Sequence, residues 1–183
     1  MRGQKGVWSW PVFPMVIFFA FLFSQAVLAA EPKVLDPGYQ VARLVNDTLF
    51  PGCNGATIGL DGALYVVHTS TGTTTRIDLK TMKAANFVPP YAGTFITDDI
   101  TSDDKGNFYS TGTTPIVGEV YRLDKNGVKT VIAKGLTAPN GIQYNKRTGR
   151  LFTSECFQAN RVFELDPTGA REDLEGTSGY GRN

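Results

Sequence analysis

The chain has 183 residues, 18 of them basic and 17 acidic, for a net charge of +1, and 42% are hydrophobic. That balance excludes nucleic-acid binding driven by excess positive charge and an acidic solvated tail, and it suits one ordinary globular domain. Two cysteines, Cys53 and Cys156, are too few for a disulfide framework, and their spacing fits no zinc pattern.

In chain order, Arg2 and Lys5 precede an apolar run from Val12 to Phe23, and small residues around Val27–Ala29 lead into Glu31. This is the layout of a secretory signal peptide over residues 1–29, which predicts an exported protein, periplasmic or secreted, with no membrane contact after cleavage. Residues 6–30 carry no charge, so an uncleaved N-terminal membrane anchor is the alternative. Residues 30–50 read as a lead-in with a possible outer strand from Tyr39 to Val45. Asn46-Asp47-Thr48 within it matches a glycosylation sequon.

From residue 51 onward three segments read alike. Each opens on a polar pair: Asn54-Gly55, Asp98-Asp99 or Asn140-Gly141. Each then reaches a turn glycine, Gly62, Gly106 and Gly149, spaced 44 and 43 residues apart. An apolar or aromatic strand follows: Leu64–Val67, Phe108-Tyr109 and Leu151-Phe152. A third strand ends in aspartate at Asp78, Asp124 and Asp166, and Asn86–Val88 and Thr130–Ile132 close the first two units. Short strands repeating every 42 to 44 residues through Asp/Gly turns are the pattern of β-propeller blades. The predicted fold is therefore all-β, with about three four-stranded blades over residues 51–174 and an unstructured tail at 175–183. A plain β-sandwich is the competing architecture.

Three blades do not close a ring. The expectation is a truncated product or partial sequence, inactive and poorly folded alone, with a second chain completing the propeller as the other possibility.

The first strand of a blade lines the central channel, so Asn54, Asp98 and Asn140 would begin inner strands at one channel mouth. Their amide and carboxylate oxygens are hard donors that suit Ca²⁺. The alternative is that they make local turn hydrogen bonds. Asp99 would be a second ligand or would orient Asp98. His68, the lone histidine, occupies the position of Gly112 and Glu155 in the other units. His68 and Glu155 are thus candidates for the pocket rim, with His68 either a proton shuttle or a solvated loop residue. The cysteines read as small buried residues. A bridge between them is not expected, because their units are separated by a whole blade, and a cysteine nucleophile lacks a histidine nearby in the repeat pattern.

The run "GLTAPNGIQYNKRTGRLFTSECFQANRVFELD" resembles a signature segment of the gluconolactonase, senescence-marker-protein and luciferin-regenerating-enzyme family, in which Pro-Asn-Gly opens an inner strand. "FITDDITSDDKGNFYSTG" is similar to that family's preceding blade, and also to paraoxonase-type propellers. The resemblance covers roughly residues 51–174 and implies a six-bladed propeller. It further implies a channel-bound divalent metal, calcium foremost with magnesium and zinc as alternatives, and hydrolysis of small lactones or related esters. The family's metal shell is a Glu, two Asn and an Asp. Asn140 matches one asparagine, Asp98 takes the place of the other, and the Glu falls on Asn54 or is absent. The final Asp, ligand and catalytic base, would lie beyond Asn183. The implied function is a metal-dependent lactonase or esterase, with a non-catalytic binding or scaffold propeller as the alternative.

Overall fold

A computed structural model describes residues 32–45, 52–89, 96–113, 117–156, 159 and 161–165, with the backbone alone at 171–173. The signal segment, the sequon, Asp166 and the tail at 175–183 lie outside the described residues. Residues 32–42 belong to a separate unit, a turn in which the Gly38 N–H donates to Asp36 Oδ1 at 2.8 Å and the Tyr39 N–H to the Asp36 carbonyl at 3.1 Å. The possible outer strand is not formed: residues 39–45 carry no strand, and the chain there is largely exposed. No helix among the described residues is long and apolar enough to cross a membrane.

The rest is all β. Among the described residues twelve strands form three antiparallel four-stranded sheets in simple sequence order. The first blade holds β1 (Cys53–Ile58), β2 (Leu64–His68), β3 (Thr74–Asp78) and β4 (Lys83–Val88). The second holds β5 (Ile96–Ser102), β6 (Phe108–Thr113), β7 (Gly118–Leu123) and β8 (Lys129–Leu136). The third holds β9 (Pro139–Asn145), β10 (Arg150–Glu155), β11 (Val162–Leu165) and β12 (Arg171–Asp173). The fourth strand of the third blade was not evident from sequence, because Arg-Glu-Asp has none of the apolar character that marks a strand.

Side-chain alternation explains how the sheets stack. The second blade lies between the other two, so β6 is buried at every position. Its successive residues face opposite ways. Phe108 joins Tyr65, Val67, Val88, Ile100, Tyr121 and Leu123 in the core between the first and second blades. Tyr109, its neighbour, joins Val120, Leu136, Ile142, Leu151, Phe163 and Leu165 between the second and third. Burying each large side chain contributes roughly 1.5–3 kcal/mol, so these two layers hold the blades together. Tyr65 and Phe108 pack with ring centroids 4.2 Å apart, and Phe87 closes on both at 5.1 and 5.4 Å.

The inner strands β1, β5 and β9 are sheet edges whose backbone groups need partners. Neighbouring blades supply them. Ser102 Oγ donates to the Ile58 carbonyl at 2.8 Å, Thr111 Oγ1 to the Asn140 carbonyl at 2.8 Å, and Thr113 Oγ1 to the Pro139 carbonyl at 3.1 Å. The Tyr144 N–H donates to Thr101 Oγ1 at 3.2 Å.

Candidate functional site at the inner-strand bulges

The polar pairs are β-bulges. Strand β1 is in register with β2 at Cys53↔His68 and again at Ala56↔Val66, so Asn54 and Gly55 together oppose one residue. The same slip occurs between Thr97 and Ile100 on β5, at Asp98-Asp99, and between Pro139 and Ile142 on β9, at Asn140-Gly141. A bulge inserts an extra residue, bends the strand and re-aims a side chain, and bulges gather at rims and sites. Asn54, Asp98 and Asn140 therefore hold one position in three consecutive blades. Residues His68, Gly112 and Glu155 hold the matching position on the second strands.

Asn54 and Asp98 meet: Asn54 Nδ2 donates to Asp98 Oδ1 at 3.2 Å across the blade boundary. This approach depends on Gly55. A Cβ there would lie 2.3 Å from Asp99 Oδ1 and 2.5 Å from the Asp99 Cα. Burial pushes the Asp98 carboxyl above the usual carboxylate range, with the Asn54 bond opposing and the Asp99 charge adding to it. Among the described residues Asp98 has no cationic partner. The Asn140 side chain makes no hydrogen bond to Asn54 or Asp98 among those residues. Its carbonyl is held by Thr111.

Asp99 has a different task. Its Oδ1 accepts from the Ile100 N–H at 2.8 Å and its Oδ2 from the Ile142 N–H at 3.0 Å, while the Asp99 N–H donates to Thr111 Oγ1 at 3.1 Å. It ties β5 to β9.

Glu155 is likewise engaged. It is 6% exposed; its Oε1 accepts from the Thr137 N–H at 2.6 Å, and Arg161 donates to Oε2 at 2.7 Å and to Oε1 at 3.1 Å.

His68 is not a solvated loop residue. It ends β2 with no exposure, Nε2 lies 2.9 Å from Thr75 Oγ1, and Nδ1 lies 3.9 Å from Cys53 Sγ. A histidine thus does stand beside a cysteine, which the repeat pattern did not indicate. The cue was cross-strand pairing, since Cys53 lies directly opposite His68. Nor are the cysteines fully buried: Cys53 is exposed, Cys156 is half-buried, and neither is in a disulfide. Desolvation raises the Cys53 thiol pKa, with its own backbone N–H opposing. Desolvation and the Asp98 charge raise that of Cys156, whose Sγ donates to the Ala138 carbonyl at 3.3 Å.

Among the described residues no three His, Cys, Asp or Glu side chains gather as a metal-holding group. The donor set available at the bulges is instead mixed, one carboxylate and two amide oxygens, which suits a hard cation in charge and type. A cavity of about 340 Å³ opens at the other end of the strands, lined by Leu60, Asp61, Tyr65, Lys105, Phe108 and Lys125. It touches none of the bulge residues.

No protein-family model and no curated protein matches the chain. Solved structures do. A virginiamycin B lyase from Staphylococcus aureus matches with 19% identity and a TM-score of 0.55, over 70% of this chain and 43% of the lyase. A gluconolactonase from Xanthomonas campestris matches with 19% identity and a TM-score of 0.55, over 66% of this chain and 48% of that one. A chain of a nidogen/laminin complex matches with 14% identity and a TM-score of 0.56, over 66% and 47%. These likenesses show the fold, a β-propeller like that of the gluconolactonases. The chain spans less than half the length of each of these structures.

Proposed function

We propose that this chain is part of an exported, gluconolactonase-like β-propeller that hydrolyses lactones or related esters with a divalent cation, calcium foremost, at the inner-strand bulges. Asn54, Asp98 and Asn140 would hold the cation, with Asp98 supplying the charge. The observation that carries this reading is Asp98. It is a partly desolvated carboxylate at a bulge shared by three blades, bonded to an amide and with no cation beside it among the described residues. Such a group is poorly satisfied by protein alone, and a bound cation offsets its desolvation. The fold likeness to a gluconolactonase supports the choice of substrate class.

A cation held by Asn54, Asp98 and Asn140 would supply Lewis-acid polarisation of an ester carbonyl and charge to offset the oxyanion. The protein's own part is positional. Asp99 fixes β5 against β9, Gly55 lets β1 approach, and the bulges set Asn54 and Asp98 side by side. The family resemblance implies a further carboxylate as ligand and base, and turnover would rest on it. The rival reading, a non-catalytic binding propeller, draws on the family's glutamate, which falls on Asn54 or is absent.

Calcium titration with a thermal-unfolding readout tests the metal. Calcium is expected to raise the melting temperature of the chain, and Asp98→Ala is expected to abolish that rise. No shift in the unsubstituted protein overturns the metal site. A shift with no lactone hydrolysis, even in the completed ring, favours the binding propeller.

A further inference from the structure

Cys53, His68 and Thr75 form a connected set in the first blade that the metal reading does not use. The sulfur is 3.9 Å from His68 Nδ1, and His68 Nε2 is 2.9 Å from Thr75 Oγ1. His68 and Thr75 are both fully buried, whereas Cys53 is exposed. A nucleophile within reach of a base, the base oriented by a third group, is the arrangement that activates cysteine and serine nucleophiles, and the spacing is often loose before substrate binds. With its proton on Nε2, donated to Thr75, the imidazole turns the lone pair of Nδ1 toward Sγ. The bulge at Asn54-Gly55 immediately follows Cys53 in the chain.

We propose that Cys53 is a base-assisted nucleophile that accepts acyl groups from activated esters, with His68 as its general base and Thr75 as the residue that positions His68. In the acylation step Sγ attacks the ester carbonyl carbon, and the Sγ–C bond forms as the thiol proton passes to Nδ1. The acyl C–O bond then breaks, and the departing alkoxide or phenolate takes the proton from the imidazolium. The products are a Cys53 thioester and the free alcohol, with no change in oxidation state. This site is independent of the cation at Asp98.

The test treats the full chain with p-nitrophenyl acetate and follows acetylation of the two cysteine peptides by mass spectrometry. Cys156, which has no imidazole in its described contacts, is the internal reference. Cys53 is expected to acetylate at least about 10-fold faster than Cys156, a floor set below the roughly 10²–10⁴-fold that general-base assistance supplies. His68→Gln is expected to remove that excess, while Thr75→Ser keeps it and Thr75→Val reduces it. Equal rates at the two cysteines, or an excess that survives His68→Gln, overturn the proposal. Should His68→Gln fail to fold, Thr75→Val decides: an excess at Cys53 that Thr75→Val leaves unchanged also overturns the proposal. Calcium-induced thermal stabilisation is read on the same samples, so loss of the metal reading and loss of this one are separately visible.

Discussion

Adjacent aspartates can have opposite tasks, and Asp98 and Asp99 do. Asp99 spends both oxygens on backbone N–H groups of Ile100 and Ile142, 43 residues from itself in the second case. Removing it leaves two donors in a half-buried seam without their acceptor, at about 1–3 kcal/mol for each unsatisfied group. Asp99→Ala should therefore lower unfolding free energy by about that amount or more in a denaturant titration, with calcium present or absent. Asn54→Ala, at an exposed position, should change stability by less than about 0.5 kcal/mol. Equal costs for the two variants would contradict the division of labour. The sequence marked both aspartates as polar residues at an inner-strand start. It did not separate them, because only the neighbouring blade supplies the donor that claims Asp99.

The turns opposite the bulges repeat one device. Asp61, Asp103 and Asn145 each use a side-chain oxygen to accept backbone N–H groups of their own turn. Gly62, Gly106 and Gly149 there have φ of 74°, 81° and 73°, a region costly for residues with a Cβ. The most complete example is Asp103, 4% exposed. Its Oδ1 accepts from the Lys105 and Asn107 N–H groups, both at 2.8 Å, and its Oδ2 accepts from Asn107 Nδ2 at 2.7 Å and the Tyr109 hydroxyl at 3.2 Å. Burial pushes the Asp103 carboxyl upward, but these bonds outweigh it and hold it below the usual range. Tyr109 moves the other way, to about 12, through burial and the Asp103 charge. A carboxyl whose folded pKa is depressed stabilises the fold above its unfolded value, near 4, and loses that contribution as pH falls through the folded value. Asp103→Asn should thus destabilise the protein at pH 7, and the gap to the unsubstituted protein should close progressively below about pH 4. Parallel thermal scans of the two proteins from pH 7 to pH 2 measure this. A turn glycine one to four residues after Asp61, Asp103 or Asn145 made these turns legible in the sequence, because a turn is a local structure whose donors and acceptors lie within four residues.

At the scale of the molecule, three sheets share two apolar layers, and among the described residues the middle sheet is covered on both faces. Hydrogen exchange should accordingly be slowest in β6, buried throughout, and fast in β1, which is mostly exposed. Exchange fastest in β6 would show that the blades do not stack in solution as described. The 42- to 44-residue period, the turn glycines and the alternation of apolar residues determined the blades from sequence alone, because strand formation and turn chemistry depend on near neighbours and on a period of two. Arg171–Asp173 escaped notice because an edge strand at the blade's outside needs no apolar face. The bulges, the Asn54–Asp98 contact, the capture of Asp99 by β9 and the seating of His68 between Cys53 and Thr75 were decided only by tertiary structure. Each depends on which backbone or side chain a second strand or second blade brings within about 3 to 4 Å, and no spacing along one chain specifies that.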